Sequence, residues 1–576
     1  MKNSEIGGAL RNLGFYAETE DGANSQFKAR AYYRAADVVD ALHQRLDEVY
    51  AEKGVEGLLE IPSIGKAIAG KIEEMINTGA IRNLEEARAR LPVDVEQFRS
   101  VEGLGPKTVK LLYEKLGVRN LGDLEKAASD GKLQGVAGFT PKRIKEMQAR
   151  ISYYRQGSRR RLLGEVYPLA KQIEKRLGGL PGVQEAITAG SVRRMKETVG
   201  DIDFLVCTPE HNSERVMESF VTMPEVDEVM ARGQSKSFVR LAGKIDADLL
   251  VVPPESWGSA LQYFTGSKEH SVHVRRIATE KGLRLNEWGL YRDSLRVAGA
   301  SEAEVYRALG MDWIPPELRE DSGEIELALS GGLPQLVQYG SIQGDLQVHS
   351  ESTDGTASIE EMARAGREFG LKYIAITDHT KSLALTGGLD EEELLDQAER
   401  IWAMKDRIEG IEVLASAEVN IMKDGSLDIA DSVLDRLDIV GAAIHSNFAL
   451  PIEDQTKRIV SAIRNPSVDI IFHPTGRRIN KREGYPVDIQ RIVSEAKETG
   501  TVLEVDAHYD RLDLRDEHVR MAVEQGVKLS IDSDAHHPIH YSYLMLGVGQ
   551  ARRGWAKASD VINTATSAKQ VLKALK

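Results

Sequence analysis

The stretch from Gly190 to Asp203 limits what this chain can fold into more than any other. It begins with a Gly190-Ser191 turn and two arginines, and it ends with Asp201 and Asp203 before the apolar run 204–206. Residues i and i+2 of a strand project from the same face, so the two carboxylates share a face. Carboxylates bind hard cations, and turn N–H and hydroxyl groups bind phosphate. The stretch therefore predicts a site for Mg²⁺ and a triphosphate.

A third carboxylate lies in the strand-like run 244–252, where Asp246 and Asp248 share one face. If this strand lies antiparallel to the Asp201 strand, three carboxylates meet and hold two metals. Such a site activates a 3′-hydroxyl and stabilises departing pyrophosphate. Solvated acidic residues at strand ends are the alternative. The aromatic residues next to Thr-Gly-Ser in 260–270 favour a nucleotide pocket.

Length and composition narrow the class of protein. With 576 residues and a net charge of −14, the chain is too long for one core and too acidic overall for a nucleic-acid coat protein. The segment 142–200 is locally basic, with 14 Lys or Arg against 5 Asp or Glu. The single cysteine, Cys207, excludes a disulfide scaffold and a cysteine zinc site. No apolar leader or long apolar run is visible, so we expect a cytoplasmic protein outside membranes.

The first 150 residues have helix-forming residues at helical spacing, and glycine turns interrupt them at 61–66 and 101–107. Such a turn lets backbone N–H groups reach a DNA phosphate while a lysine screens the charge. A glycine at a helix C-cap looks the same in sequence. The predicted DNA contacts are Gly65, Lys66, Gly103, Gly105 and Lys107. The basic run 155–161 is predicted to contact backbone phosphates too, with a solvated linker as the alternative.

Histidines are concentrated in the C-terminal half, where nine of the 13 lie after residue 340. Several follow apolar runs, as His379 follows 373–377 and His473 follows 470–472. Side chains at the carboxyl ends of successive strands converge on one mouth of a barrel, and mixed nitrogen and oxygen ligands suit Zn²⁺, Mn²⁺ or Fe. One such histidine is more often structural, but five strand ends with matching chemistry predict a metal cluster on an α/β fold.

The middle of the chain resembles the family X DNA polymerases, the group that includes polymerase beta. The matching motifs are G-S-V-R-R…G-D-I-D (190–203), D-L-L-V-V-P-P (248–254), Y-F-T-G-S-K (263–268) and L-N-E-W-G-L (285–290). The resemblance implies an α+β nucleotidyltransferase palm in which Asp201 and Asp203 bind Mg²⁺ or Mn²⁺. It also implies that Asp248, rather than Asp246, is the third carboxylate and the base toward the primer hydroxyl.

The same resemblance assigns the contacts to the incoming nucleotide. They are Gly190, Ser191, Arg194, Tyr263, Phe264, Gly266, Ser271, Arg275, Asn286 and Glu287. Ser191 and Arg194 correspond to triphosphate contacts, and Tyr263 and Phe264 to the platform that excludes a 2′-hydroxyl. Arg275 matches an arginine facing the template minor groove, and Asn286 and Glu287 match closing-helix contacts. Ser271 departs from the usual Asn, which implies reduced discrimination or affinity.

Residues 27–36 resemble the first helix of the small DNA-end domain in that family. This implies binding of the 5′-phosphate of a gap, with Lys28 as a DNA contact. Lys71 matches a lysine that forms a Schiff base with an abasic sugar in some relatives, and Ala67 replaces a second phosphate-binding lysine. A surface lysine on an exposed helix explains Lys71 equally well.

The C-terminal half resembles the PHP (polymerase and histidinol phosphatase) metallohydrolases, which implies a distorted (β/α)₇ barrel and a trinuclear site. The implied ligands are Gln347, His349, Asp354, His379, Glu418, His445, His473, Asp534 and His536. Gln347 stands where the family has the first His of H-x-H. It offers only a neutral carbonyl, so one metal is expected to be loose or absent and nuclease activity to be low. Asp506 replaces a common Asn.

Together these motifs predict a multidomain chain that fills DNA gaps in base excision repair. The PHP half is expected to hold Zn²⁺ or Mn²⁺ and act as a 3′–5′ exonuclease, with cleavage at abasic sites as well. The expected partners are gapped or primed DNA and a dNTP, for a monomer near the nucleoid. The predicted regions are 1–90 (DNA-end domain), 91–155 (fingers-like), 156–255 (palm), 256–315 (thumb-like), 316–340 (linker) and 341–576 (PHP). The alternatives are a small-molecule phosphoesterase with a DNA-binding adaptor and a non-catalytic DNA-end scaffold.

Overall fold

The computed structural model describes residues 3–20, 24–40, 46–61, 64–99, 104–136, 138–141, 144, 147–148, 160–241, 245–383, 386–404, 408–480, 482 and 484–575. The chain forms two compact units, 1–159 and 160–576. Among the described residues, every helix is too short or too polar to cross a bilayer.

The first unit is helical, as its apolar spacing predicts. Side chains that recur on one face of each helix, such as Leu10, Ile68, Phe98 and Leu112, are buried in a common core. The helices are Asn3–Thr19, Ser25–Asp40, Leu46–Leu59, Lys66–Thr78, Arg82–Arg90, Val95–Arg99, Pro106–Leu116 and Leu121–Ser129, followed by the 3₁₀ turn Lys132–Gly135.

The second unit begins with a small sheet that forms the palm. Its strands are β1 (Arg161–Leu162), β2 (Glu185–Thr188), β3 (Thr198–Val199), β4 (Asp201–Cys207), β5 (Val226–Arg232), β6 (Lys236–Leu241) and β7 (Ile245–Val252). Strands β2, β4, β7, β6 and β5 lie side by side in that order, and β1 pairs with β3. The helices are Leu163–Gly178, Gly190–Arg193 and Ser213–Val221, with a 3₁₀ turn at Glu210–Asn212.

The predicted antiparallel pairing of the two carboxylate strands is wrong, because β7 lies parallel to β4. Helix Ser213–Val221 and the β5–β6 pair connect the two strands, so the chain returns in the starting direction. The parallel register still sets Asp203 directly opposite Asp248.

A thumb-like region follows the palm. Helices Trp257–Thr265 and Lys268–Glu280 precede a three-stranded sheet of β8 (Arg284–Asn286), β9 (Gly289–Arg292) and β10 (Leu295–Ala298). Helix Glu302–Ala308 then leads into 316–340, which contains the 3₁₀ turns of Pro316–Leu318 and the helix Glu324–Ser330.

Segment 316–340 is held by buried polar contacts. Glu317 pairs with Arg552 at 2.8 Å, and the Glu324 carboxylate accepts a hydrogen bond from His270 Nδ1 at 2.7 Å. Arg319 is fully buried and pairs with Glu302 at 2.6 Å. Paired charges of this kind fix the segment against the thumb and the barrel rather than leaving it in solvent.

The C-terminal part of the second unit is a parallel seven-stranded barrel. Its strands, adjacent in chain order, are β11 (Gly344–Val348), β12 (Tyr373–Ile376), β13 (Glu412–Asn420), β14 (Ile439–Ala443), β15 (Ile470–Ile471), β16 (Val502–Asp506) and β17 (Leu529–Asp532). The helices are Ile359–Phe369, Glu391–Ala403, Asp431–Leu434, Ile452–Arg464, Ile489–Thr499, Asp516–Gln525, Leu544–Arg553 and Ala568–Ala574. A bridge between Val348 and Ala535 brings the last strand's extension against the first strand, which nearly closes the barrel.

Candidate active sites

The first candidate site lies at the start of β4. Asp201 and Asp203 project from the same face as Asp246 and Asp248, because Asp201 is opposite Asp246 and Asp203 is opposite Asp248. Burial, followed by the charges of Asp201 and Asp248, raises the pKa of Asp203 to about 7. Burial and Asp248 raise the pKa of Asp201 as well. A bound divalent cation relieves this kind of mutual repulsion.

Two basic residues distinguish the two acidic side chains of β7. Asp246 is buried and pairs with Arg240 Nε at 2.9 Å, whereas the more exposed Asp248 is 3.2 Å from Lys236 Nζ. Within the described chain, the ligand oxygens of Asp201, Asp203 and Asp248 do not all lie within 4.8 Å of one another. Joint coordination of a cation therefore requires these side chains to move closer together.

Gly190 lies directly against the carboxylates. Its φ is +56°, and a Cβ built on it would lie 1.9 Å from Asp203 Oδ2. The next residue, Ser191, is half-buried in the short helix Gly190–Arg193, and the Ala189 N–H bonds the Asp203 carbonyl at 2.7 Å. Only glycine lets the turn approach this closely.

The two arginines of the motif have different partners. Arg193 donates two hydrogen bonds of 2.8 Å to Glu302. Arg194 donates to Glu320 at 3.0 Å and to the Thr265 carbonyl. A triphosphate on Arg194 would therefore compete with Glu320.

The aromatic pair predicted for the sugar lies at the end of helix Trp257–Thr265. The Tyr263 and Phe264 rings are edge to face at 5.2 Å, and the Arg275 guanidinium lies 5.8 Å from the Tyr263 ring centre. Arg275 also donates to the Ser271 carbonyl, while the buried Ser271 hydroxyl has no partner among the described residues. A Cβ on Gly266 would lie 3.1 Å from the Arg194 guanidinium.

Asn286 ends β8 and Glu287 follows it in the tight turn before β9, so the two lie in a hairpin and not in the helix that the resemblance implied. The Asn286 side chain accepts hydrogen bonds from the Trp288 and Gly289 N–H groups at 3.0 and 3.1 Å. The Asn286 side chain therefore stabilises the turn of this hairpin.

In the first unit, two of the three predicted hairpin glycines directly precede helices. Gly65 and Gly105 are N-caps with extended backbones, so neither is the helix C-cap that was the alternative. Lys28, Lys66 and Lys107 are exposed. Gly103 lies outside the described residues. Lys71 is half-buried, and its amine is 3.2 Å from Asn83 Oδ1.

The second candidate site fills the mouth of the barrel. Two groups of side chains each bring their ligand atoms within 4.8 Å of one another: His349, Asp354, His379 and His536, and then His379, Glu418 and His445. His473 Nε2 is 2.7 Å from Glu418, and Asp534 is 3.2 Å from His349 Nε2. The eight predicted ligands other than Gln347 thus converge, because Glu418 lies near the end of β13 and the other seven follow barrel strands.

The charges of this site are strongly coupled. Although burial opposes it, His445 and His379 hold the pKa of Glu418 well below its usual range. Burial opposes the shift at His379 too, but Glu418 and Asp354 raise its pKa to about 10. Carboxylates that stabilise positive charge on their neighbours suit a site for divalent cations.

Gln347 is fully buried beside these ligands. Its amide donates to Glu418 at 3.3 Å, and its carbonyl oxygen has no partner among the described residues. A buried, unpartnered oxygen next to carboxylates and imidazoles fits a metal ligand.

Sequence reasoning missed Arg511, His508 and His540, which line the same cavity of about 410 Å³. Arg511 Nε is 3.3 Å from Asp506 and 3.5 Å from Asp534. The signal was their position: His508 and Arg511 follow β16 just as the ligands follow other strands.

Comparisons with known proteins agree with this arrangement. Family models match as "Helix-hairpin-helix domain" (1–81), "SAM-like Helix-hairpin-helix tandem" (55–116 and 95–151), "DNA polymerase beta palm" (163–254), "DNA polymerase beta thumb" (260–320) and "PHP domain" (345–568). The "DNA polymerase/3′-5′ exonuclease PolX" of Bacillus subtilis is 36% identical over 98% of this chain and 97% of its own length. The chain belongs to the PolX family.

Other relatives match parts of this chain. A Thermoanaerobacter sp. protein named "Probable phosphatase" is 35% identical over 33% of this chain and 78% of its own length. "DNA polymerase lambda" of Arabidopsis thaliana is 26% identical over 55% of this chain and 61% of its own length. The recognition of a beta-like polymerase core followed by a PHP barrel is confirmed, and with it the predicted fold class.

Proposed function

We propose that the chain is a DNA polymerase that fills short gaps during base excision repair and carries a 3′–5′ exonuclease in its barrel. The observation that carries the polymerase half is the register of β4 and β7, with Asp203 opposite Asp248 and Asp201 on the same face. The Bacillus subtilis relative, named as a polymerase and exonuclease, supports both halves.

In this proposal, Mg²⁺ or Mn²⁺ on the three carboxylates supplies charge stabilisation at the triphosphate. Asp248 accepts the proton of the primer 3′-hydroxyl once its ion pair with Lys236 has opened. Ser191 and the Gly190 turn hold the triphosphate. Arg194 joins them when the triphosphate takes the place of Glu320 on its guanidinium group. The remaining nucleotide contacts are Tyr263 and Phe264 at the sugar, Gly266 and Ser271 beside them, Arg275 at the template, and Asn286 and Glu287 in the hairpin.

The helical unit supplies the DNA grip, with Lys28, Gly65, Lys66, Gly103, Gly105 and Lys107 at the backbone phosphates. Lys71 is a candidate for Schiff-base chemistry at an abasic sugar. Borohydride trapping that disappears in Lys71→Ala would assign that step, and trapping that persists would make Lys71 a surface residue.

For the barrel, we propose that Gln347, His349, Asp354, His379, Glu418, His445, His473, Asp534 and His536 hold Zn²⁺ or Mn²⁺. The bound metal supplies an activated water for attack on a phosphodiester. The products are a shortened 3′ end and a nucleotide, and abasic sites are cleaved as well. We further propose a monomer that works at nucleoid DNA.

Extension, 3′ trimming and abasic cleavage on one gapped duplex test this proposal. Asp203→Ala should lower extension by about 10³-fold, the value of several kcal/mol of lost charge stabilisation. Asp227→Ala, which removes an exposed carboxylate from β5, is the matched control. His379→Ala should abolish trimming and leave extension intact. Absence of extension by the native chain would refute the polymerase half.

A further inference from the structure

Four arginines line a second cavity in the unit that holds both candidate sites. The cavity, of about 480 Å³, is bounded by Arg477, Arg478, Arg482 and Arg515 and is referred to below as the arginine cavity. The other residues that line it are Glu197, Thr198, Ile479 and Asn480. Four guanidinium groups thus face a single carboxylate among the described lining residues.

The arginines are only partly neutralised. Arg477 is 4% exposed and pairs with Glu197 at 2.7 Å, but its Nε–H has no hydrogen-bond partner in the described part of the chain. Arg478 pairs with Asp510 at 2.5 Å. Arg482 donates to the Gly476 carbonyl at 2.8 Å. Burial, followed by the charges of Arg511 and Arg478, lowers the pKa of Arg482, as expected where positive charge is crowded. An incoming anion would relieve both the crowding and the unpartnered donor.

The arginine cavity shares a lining residue with the barrel site and has another close in sequence to Asp201. Arg478 lines both this cavity and the metal-site cavity of the barrel. On the other side, Thr198 belongs to β3, which immediately precedes the strand of Asp201. Thr198 also receives hydrogen bonds from Arg160, at the end of the basic run 155–161.

The chemistry of the lining selects a class of ligand. Guanidinium groups bind phosphate oxygens bidentately, and the volume is within the range of about 300–1,000 Å³ typical for a small ligand. That volume accommodates a nucleotide but not a duplex. A strand whose 3′ end reaches the metals must continue outward, and the shared wall at Arg478 places this cavity next along the way.

We propose that the arginine cavity binds the phosphates of a single DNA strand whose 3′ end lies in the barrel site. This inference rests on the proposed exonuclease. It assigns Arg482 and Arg515 a role in holding the strand, with no part in the chemical step.

The test compares two substrates of the native chain with Mn²⁺: a single-stranded oligonucleotide and thymidine 5′-(4-nitrophenyl phosphate), which is too short to reach the cavity. In Arg482→Ala/Arg515→Ala, we expect KM for the oligonucleotide to rise about 10-fold and hydrolysis of the short probe to stay unchanged. The slope of log KM against log salt should fall by about 0.7 per lost phosphate contact. Arg482→Lys/Arg515→Lys should keep most of the native affinity for the oligonucleotide. Arg364→Ala, at an exposed ion pair in helix Ile359–Phe369, is the matched control.

Equal loss on both substrates would overturn the inference, because it would indicate damage to the barrel site itself. A change confined to product inhibition by a mononucleotide would also overturn it, in favour of a nucleotide site. If the native chain trims nothing, the exonuclease proposal fails. The cavity is then tested in EDTA by photo-crosslinking a strand carrying 4-thiothymidine near its 3′ end, with adducts expected at 476–482 and 515, and adducts elsewhere only would refute it.

Discussion

Replacing Gly190 by alanine should separate the two activities of the chain. The added Cβ would lie 1.9 Å from Asp203 Oδ2, whereas side chains stay beyond 3.0 Å, so the carboxylate or the turn must move by about 1 Å. A displacement of 1 Å at a catalytic group costs about 10²-fold in rate. We therefore expect extension to fall about 100-fold, with 3′ trimming by the barrel unchanged.

Backbone strain has to be separated from this clash. Alanine at φ +56° costs about 1–2 kcal/mol regardless of space. Gly282 has a φ of +68° and nothing within 4 Å of its built Cβ, so Gly282→Ala carries the strain without the clash. Single-turnover extension on a gapped duplex, with trimming and thermal melts in parallel, measures all three effects. Extension by Gly190→Ala within threefold of Gly282→Ala would refute the reasoning.

Three further outcomes are expected. In metal-stripped protein, the melting temperature should fall as pH rises from about 6.5 towards 10. The pKa of His379 is raised to about 10 in the folded chain, so its stabilising contribution is complete below pH 6.5 and is lost as the pH rises through 10. If His379→Gln in EDTA shows an equally steep pH profile, this expectation is contradicted. Glu302→Ala should destabilise the chain by about 3–5 kcal/mol in denaturant melts, since Arg193 and Arg319 would lose the carboxylate that balances their charge, and a loss below 1 kcal/mol would exclude that account. Gln347→His should raise the metal content per chain, and elemental analysis showing no increase would disprove the weak-ligand interpretation.

The convergence of the proposed barrel ligands was predictable because most of them lie next to an apolar run. An imidazole or carboxylate after a buried strand is a local signal, which His349, His379 and His473 carry, while Glu418 lies near the end of its own strand, β13. Arg511 follows β16 in the same way, but arginine is not a metal ligand and pattern reasoning gives it no role. Its contacts with Asp506 and Asp534 exist only once the barrel has formed.

The direction of β7 could not be read from the sequence. Carboxylates at i and i+2 share a face in either direction, so Asp246 and Asp248 look the same for parallel and antiparallel pairing. The burial of segment 316–340 could not be predicted either, because its prolines and glycines indicate a loop and its charged residues suggest exposure to solvent. Burial of Glu317 and Arg319 depends on partners distant in sequence, such as Arg552 for Glu317.

Glu320 bonds Arg194 of the palm at 3.0 Å and Arg553, on the last long barrel helix, at the same distance. The Glu320 carboxylate thus connects the polymerase part of the chain to the barrel. Dividing the gene at residue 340 would leave Glu320 with Arg194 on one fragment and take it away from Arg553, which would keep Asp516 as its acidic partner on the other. A substitution in the barrel that disturbs Arg553 would then first reduce DNA synthesis, and a fragment containing one half alone would lack the contacts that the other half supplies.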